Sequence, residues 1–159
     1  MIWSGKDVAR FIEVVSDRQI QPNGVDLTIG EIFIFESRGV LSENKVLPAM
    51  RRVEPDNDGY YTLEQGCYLV RYREIVQIPK NAIGLVFPRS SLQRMGAMIY
   101  TSVWDSGYRG RGVGLLAVLN ENGIKIHKDA RICQIIFITA KSSRLYSGEY
   151  YLEGIKQDT

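Results

Sequence analysis

The chain has 159 residues, a formal net charge of +2 and 45% hydrophobic residues. This length is typical of one folded domain, and the composition excludes a disordered or fibrous chain. The small charge and the scattered Lys and Arg residues exclude a basic nucleic-acid groove and a basic membrane-surface helix. We therefore expect a single domain over residues 1–159, with no nucleic-acid partner and no membrane partner.

The first predicted element is an amphipathic helix over residues 5–15. Ser4 and Asp7 have a spacing like that of a capping box, and apolar residues then recur at helical intervals. No signal peptide precedes this helix, and no apolar run approaches the roughly 18 residues of a membrane span, so we expect a cytoplasmic protein.

Short segments rich in β-branched and aromatic residues follow the helix. Turn sequences separate them, such as Pro-Asn-Gly at 22–24 and Glu-Asn-Gly at 121–123. The predicted strands cover residues 25–29, 31–35, 67–72, 83–87, 113–119 and 131–138. This pattern predicts an all-β, or mainly β, protein whose strands close into a barrel or a double-sheet jelly roll.

From residue 141 the sequence becomes polar and rich in tyrosine. We interpret residues 141–159 as a C-terminal arm that leaves the barrel instead of contributing to its core. Such an arm could become ordered on a ligand or on a neighbouring subunit.

Four residues stand out within the predicted strands. Cys67 and Cys133 lie in apolar segments without metal-binding spacing, so we expect two buried free thiols. Asp26 and Gln134 are polar residues in otherwise apolar strands. Because a buried polar side chain needs partners, each either pins a neighbouring loop or lines a ligand site, and pinning is favoured.

The segment at 88–96, Pro-Arg-Ser-Ser-Leu-Gln-Arg-Met-Gly, follows a predicted strand and is typical of a single helical turn. We expect Ser90 at its N-cap and Gly96 at its end. Serine hydroxyls at a helix N-terminus, flanked by Arg89 and Arg94, suit a phosphate. A capped connector with surface arginines is an equally good interpretation.

The segment at 102–110 contains a tight turn with Asp105 at its entry and Tyr108 at its exit. A carboxylate near a cationic phosphate site could orient and deprotonate a water molecule, and Tyr108 could then pack on a sugar or a base. Asp105 could also be only a turn former. The glycines at 110, 112 and 114 lead into a strand, so they do not form a dinucleotide-binding fingerprint.

These four segments, in this order, resemble the family of dUTP pyrophosphatases and dCTP deaminases, and most of all its archaeal dUTPase type. The four matching motifs are Gly-Val-Asp-Leu at 24–27, Pro-Arg-Ser-Ser-Leu at 88–92, Asp-x-x-Tyr-Arg-Gly at 105–110 and Ala-Arg-Ile-Cys-Gln at 130–134. The resemblance implies a distorted jelly-roll barrel, a homotrimer with active sites between subunits, and hydrolysis of dUTP to dUMP and pyrophosphate.

The resemblance also implies residue roles. Asp105 would activate the attacking water, and Tyr108 would pack on deoxyribose and exclude a 2′-hydroxyl. Asp26 would support the site framework or the water shell of Mg²⁺, which the substrate phosphates hold without direct protein ligands. The remaining substrate-binding residues would be Arg89, Ser90, Ser91, Arg94, Gln134 and Tyr146.

Two other functions are open. One is a dCTP deaminase or a relative that processes both dCTP and dUTP. The family's deaminase glutamate corresponds here to Ala117, so deamination should be lost. The second is a non-catalytic nucleotide-binding trimer, because the tail departs from the family pattern. At 146–150 it has Glu149 where a phosphate-binding lysine is expected, and a carboxylate near a triphosphate is unfavourable.

Overall fold

A nearly closed β-barrel forms the body of the protein, and the computed structural model describes residues 1–13 and 16–155. Two short α-helices and a 3₁₀ helix at Asp17–Gln19 accompany the strands. The α-helices are α1 (Gly5–Ala9) and α2 (Ser90–Arg94). The strands are β1 (Ile20–Gln21), β2 (Gly24–Phe35), β3 (Met50–Val53), β4 (Tyr60–Leu63), β5 (Gly66–Tyr72), β6 (Val76–Gln77), β7 (Ala82–Pro88), β8 (Ala97–Tyr100), β9 (Arg109–Gly110), β10 (Val113–Val118), β11 (Ile124–His127) and β12 (Arg131–Thr139).

The main sheet runs in the order β7-β12-β2-β5-β10-β8, with β1 and β3 paired to β2. Two smaller pairs, β4 with β11 and β6 with β9, complete the sheets. The two ends of the main sheet meet: Thr101 Oγ1 donates to the Val86 carbonyl at 3.2 Å, and Trp104 and Gly84 exchange backbone hydrogen bonds of 2.8 and 3.0 Å. This near closure confirms the predicted mainly β barrel.

All six predicted strands overlap observed ones. The first two merge into β2, with an irregularity in its pairing between Ile29 and Glu31. The sequence did not reveal the short strands: β3, β4, β8 and β11 have four residues each, and β1, β6 and β9 have two. A four-residue strand gives too few alternations to distinguish it from a loop.

The N-terminal helix is shorter than predicted. Its cap is as expected, since the Asp7 amide donates to Ser4 Oγ at 3.2 Å and Ser4 Oγ donates to the Asp7 carboxylate at 2.6 Å. The helix ends at Ala9 because the chain that follows pairs with the β6 region: Gln77 donates to the Phe11 carbonyl at 2.9 Å, and Ile12 forms a bridge with Val76. Part of the predicted helix, residues 14–15, lies outside the described residues.

Alternate glycines over 110–114 lie against a column of aromatic rings. A Cβ atom at any of the three positions would lie under 3.0 Å from a ring or its hydroxyl. The pairs are Gly110 with Tyr108, Gly112 with Trp104 and Gly114 with Tyr72. The glycine series is therefore explained by close packing against aromatic side chains.

The prediction of two buried thiols is confirmed for Cys133 and wrong for Cys67. Cys133 is buried, and burial raises the pKa of its thiol, whereas Cys67 is exposed. Cys67 lies on a sheet face where half-buried or exposed apolar side chains from neighbouring strands adjoin each other in register. We call this the outer apolar face; it consists of Phe33, Phe35, Met50, Cys67, Leu69, Met98, Tyr100 and Leu115.

Within the described residues no helix is long and apolar enough to cross a membrane.

Candidate active site

Asp26 is the centre of a first group of predicted site residues. It lies on β2 with only 1% of its surface exposed, and its Oδ2 accepts hydrogen bonds from Gln21 Nε2 at 3.0 Å, Arg131 Nη1 at 3.2 Å and Arg89 Nη1. Burial raises the pKa of Asp26, and the two guanidiniums oppose that rise. Asp26 thereby pins Arg89, at the end of β7, and Arg131, at the start of β12.

Helix α2 follows Arg89 directly. The N-cap is Arg89 and not Ser90 as predicted, because the extended backbone (φ −70°, ψ 146°) continues through Arg89 and its side chain turns to Asp26. The predicted end is correct, since Gly96 has a φ of +77°. The exposed side chains of Ser90, Ser91 and Arg94 make no hydrogen bond to any residue within 1–13 and 16–155. They are therefore available to a ligand.

Gln134 adjoins this group on β12. In the sheet register it stands opposite Asp26 on one side and Phe87 on the other. Its side chain is half-buried and lies against the backbone of Gly24, where an added Cβ would come within 2.9 Å of Nε2. We call these residues together the arginine group; its members are Asp26, Arg89, Ser90, Ser91, Arg94, Arg131 and Gln134.

Asp105 begins a hydrogen-bonded turn over residues 105–108, which we call the Asp105 turn. The Tyr108 amide donates to the Asp105 carbonyl at 3.1 Å, and Gly107 has a φ of +85°, which favours glycine at this position of the turn. The turn is fixed to the barrel because buried Ser106 donates to the Ala82 carbonyl at 2.6 Å and Gly107 donates to the Ile78 carbonyl at 3.1 Å. The Asp105 side chain is exposed on this rigid support.

Tyr108 is almost enclosed, with 6% of its surface exposed. Its ring makes edge contacts with Trp104 at 5.2 Å and with Tyr146 at 5.5 Å between centroids. Its hydroxyl donates to Glu153 Oε1 at 2.7 Å. Burial first, and then this hydrogen bond, raise the pKa of Tyr108 well above its usual value, so the hydroxyl stays protonated.

Two adjoining cavities meet at Asp105. The first, of about 800 Å³, lies between the barrel and the tail, and its walls include Leu69, Trp104, Asp105, Tyr108, Tyr146 and Glu153. The second, of about 610 Å³, lies between Asp105 and tail residues 142–148. Both are within the size range of small-ligand sites, and Asp105 borders each.

The tail was predicted to leave the barrel, but its described residues stay in contact with it. Residues 141–155 contain no strand or α-helix, yet they fold back on their own chain, with amide-to-carbonyl hydrogen bonds from Tyr146 to Ser106 (2.8 Å), from Leu152 to Arg109 (2.7 Å) and from Arg111 to Glu153 (2.9 Å). The aromatic side chain of Tyr146 gains burial against Tyr108, which the polar character of the segment concealed.

The charge of Glu149 is matched within the chain. Lys45 Nζ lies 2.5 Å from Glu149 Oε2, donates to the Tyr150 hydroxyl at 2.8 Å and sits over the Tyr150 ring. Lys45 belongs to the loop between β2 and β3, so this loop and the tail meet at one side of the larger cavity. The lysine relieves the unfavourable carboxylate predicted at this position.

The arginine group and the Asp105 turn are separate within one chain. Trp104 pairs with Gly84 of β7, and Arg89 lies five residues farther on, roughly 16 Å at about 3.3 Å per residue. Neither cavity wall includes a member of the arginine group. Within the described ranges, no group of three or more His, Cys, Asp or Glu side chains could hold a metal ion.

Sequence reasoning missed four residues of the arginine group, the surroundings of the Asp105 turn and the contacts of the tail. Arg131 lay within a matched motif, and its nearness to Gln134 was a usable signal. Trp104 precedes Asp105, and the alternate glycines could have indicated a large ring opposite them. Lys45 and Glu153 gave no signal, because each is far in sequence from its partner.

Comparison with known proteins gives matches over most of the chain. A model of the dCTP deaminase-like family matches residues 4–140. The probable deoxyuridine 5′-triphosphate nucleotidohydrolase of Methanosarcina barkeri is 41% identical over 145 residues, covering 88% of this chain and 85% of the relative. The corresponding protein of Aeropyrum pernix is 39% identical over 160 residues, covering 98% of this chain and 100% of the relative.

A solved structure supports the barrel fold. The 2′-deoxycytidine 5′-triphosphate deaminase from Agrobacterium tumefaciens superposes with a TM-score of 0.63 at 19% identity over 86% of this chain. The aligned region spans 47% of the deaminase, so this chain matches about half the length of that protein. The fold, the four ordered motifs and the family match lead to one conclusion: this chain belongs to the dCTP deaminase-like family.

Proposed function

We propose that this chain is an enzyme that hydrolyses dUTP to dUMP and pyrophosphate. The observation that carries the proposal is the Asp105 carboxylate, exposed on a rigid turn at the border of two cavities and next to the enclosed Tyr108. The relatives named deoxyuridine 5′-triphosphate nucleotidohydrolases support this choice of substrate.

Asp105 would orient a water molecule and accept its proton as the water attacks the α-phosphorus. A general base needs a fixed backbone and a side chain free to reach its water. The hydrogen bonds of Ser106 and Gly107 provide the first, and the exposure of Asp105 provides the second. Tyr108, in the wall of the same cavity, would pack on deoxyribose and leave no room for a 2′-hydroxyl.

The arginine group would hold the triphosphate. Arg89 and Arg94 would supply charge, while Ser90, Ser91 and Gln134 would donate hydrogen bonds to phosphate oxygens. Asp26 would act through the arginines, since its carboxylate is buried and already accepts three hydrogen bonds. Tyr146 would bind substrate from the tail, because its ring lies against Tyr108.

Mg²⁺ would enter with the nucleotide, held by phosphate oxygens. The protein groups fit this arrangement, because Asp26 is engaged by arginines and, among the described residues, Asp105 belongs to no group of three or more side chains that could hold a metal ion. The bound ion would offset the charge of the triphosphate.

A homotrimer would bring the two groups together. A single chain keeps the arginine group apart from the Asp105 turn, so a complete site needs the arginine group of one copy beside the turn of another. The outer apolar face is the kind of surface that such an association covers. We expect a trimer by light scattering, with slow thiol labelling of Cys67; a monomer whose Cys67 reacts rapidly would contradict this assembly.

Hydrolysis is favoured over deamination by the chemistry of β10. Ala117, which corresponds to the deaminase glutamate, is buried between Cys67 and Met98 in the sheet register. No residue of β10 is acidic. Proton transfer at a cytosine ring would therefore lack its group on this strand.

Substrate assays test the proposal. The purified protein would be incubated with Mg²⁺ and each of dUTP, dCTP, dTTP and UTP, with pyrophosphate and base identity measured. We expect pyrophosphate from dUTP together with dUMP. Conversion of dCTP to a uracil product would establish the deaminase alternative, and no turnover despite nucleotide binding would establish the non-catalytic trimer.

The cytoplasmic location stays a prediction from the sequence.

A further inference from the structure

The end of the tail is attached to the chain beside the turn that carries Asp105. Leu152 and Glu153 bracket Arg109 to Arg111 through two backbone hydrogen bonds of 2.7 and 2.9 Å. The Glu153 side chain then reaches the Tyr108 hydroxyl at 2.7 Å. Two backbone hydrogen bonds thus hold this part of the tail beside Tyr108, and one side-chain hydrogen bond joins Glu153 to Tyr108 directly.

This contact lies in a cavity wall and leaves the cavity open. Glu153, Tyr108 and Asp105 all line the cavity of about 800 Å³ with the tail in place. Lys45 holds the preceding tail residues Glu149 and Tyr150, which line the same cavity. The tail is therefore a fixed wall of the site in this conformation.

Tyr108 has limited freedom apart from its hydroxyl. Trp104 and Tyr146 contact the ring on its sides, and Gly110 lies under the hydroxyl end, where a Cβ would come within 2.5 Å of Oη. Because the hydroxyl end of the ring already fills the space beside Gly110, the backbone there blocks movement of the ring in that direction. The hydrogen bond to Glu153 fixes the hydroxyl itself.

We infer that Glu153 is a positioning residue that holds the Tyr108 ring in the place where it excludes ribonucleotides. The inference rests on the proposed dUTP hydrolysis and on the proposed packing of Tyr108 against deoxyribose. Without the hydrogen bond to Glu153 the ring could tilt, and it would no longer present a fixed surface against the 2′ position of the sugar. Selection between dUTP and UTP would then depend on a tail carboxylate that need not touch the nucleotide.

The test is the ratio of kcat/KM for dUTP to that for UTP. Glu153→Ala should lower this ratio about tenfold, the effect of one lost hydrogen bond to a charged group, mainly by raising kcat/KM for UTP. Glu153→Gln keeps an acceptor for the Tyr108 hydroxyl and should restore most of the ratio. Tyr108→Phe should lower the ratio as Glu153→Ala does, and the double variant should lose no more than either single variant.

Glu121→Gln, a charge change at an exposed turn glutamate, is the matched control and should leave the ratio unchanged. Equal losses of kcat/KM for dUTP and UTP in Glu153→Ala would overturn the inference and leave the proposed function intact. The affinities of non-hydrolysable dUTP and UTP analogues separate the two further. A deoxy preference that Glu153→Ala abolishes supports the positioning role even without turnover, and binding of neither analogue by the unaltered protein would overturn both proposals.

Discussion

Asp26 and Asp105 are aspartates from two of the matched motifs, yet their surroundings are opposite. Asp26 is buried and accepts hydrogen bonds from Gln21, Arg89 and Arg131, whereas Asp105 is exposed on a turn whose backbone is held by its neighbours. A carboxylate that is 1% exposed, and whose Oδ2 already receives three donors, is closed to a substrate or a water molecule from solvent. The comparison agrees with the pinning that the sequence context favours for Asp26, and it leaves Asp105 as the candidate for the proposed chemistry.

The largest expected effect is on turnover at Asp105. Asp105→Asn keeps the size of the side chain and removes its basicity, so kcat for dUTP should fall about 10²- to 10⁴-fold, the usual contribution of a general base. Pyrophosphate release measures kcat, and the thermal midpoint should be unchanged because the side chain is exposed. Asp58→Asn, at another exposed turn, is the control. Retained turnover in Asp105→Asn would contradict the proposed role of Asp105 as the general base.

Asp26→Asn should act on stability. The amide is neutral and leaves two partly buried guanidiniums without their counter-charge, so the free energy of unfolding should fall by about 1–3 kcal/mol. Urea denaturation measures this change, and KM for dUTP should rise because Arg89 is no longer fixed. The matched control is Asp129→Asn, which breaks the surface pair with Arg73 and should cost less. If Asp26→Asn and Asp129→Asn lose equal stability, burial does not make the Asp26 interactions stronger than those of the exposed Asp129.

The smallest expected effect is at Lys45, whose partner Glu149 is intermediate between the two aspartates: exposed, but paired. Lys45→Ala releases one attachment of the tail and should raise KM for dUTP by less than about threefold, since exposed ion pairs are weak. Steady-state assays measure this change. Lys125→Ala is a close control, because Lys125, on β11, also pairs with a carboxylate, that of Asp56, and lies over a tyrosine ring. A change in kcat in place of KM would mean that the tail acts on the chemical step.

The sequence was sufficient for the parts of the structure that depend on local patterns. Alternation of apolar residues predicted the barrel strands, and Gly96 and the capping pair Ser4 and Asp7 predicted helix ends. The length of α1 could not be predicted in the same way. Its apolar spacing continues past Ala9, but pairing of Phe11 and Ile12 with the β6 region decides where the helix ends.

In the candidate site, too, local motifs could be recognised from the sequence, whereas long-range contacts could not. Asp105 and Arg89 could be identified because each lies in a short motif of suitable chemistry. The contacts of the tail could not be identified, since Tyr108 with Glu153 and Lys45 with Glu149 join segments that only the folded chain brings together. The exposure of Cys67 was missed for a related reason: an apolar strand predicts burial, but it does not reveal whether the chain itself or another molecule covers that face.

The glycines opposite the aromatic column constrain how this protein can vary. Each glycine and its facing ring fill one shared space, so a larger residue at position 112 is acceptable only if the ring at 104 becomes smaller. The two positions should therefore be exchanged as a pair during redesign, for example Gly112→Ala together with Trp104→Phe. Since Trp104 also forms part of the cavity wall, such a paired exchange would reshape the binding space and keep the barrel packed.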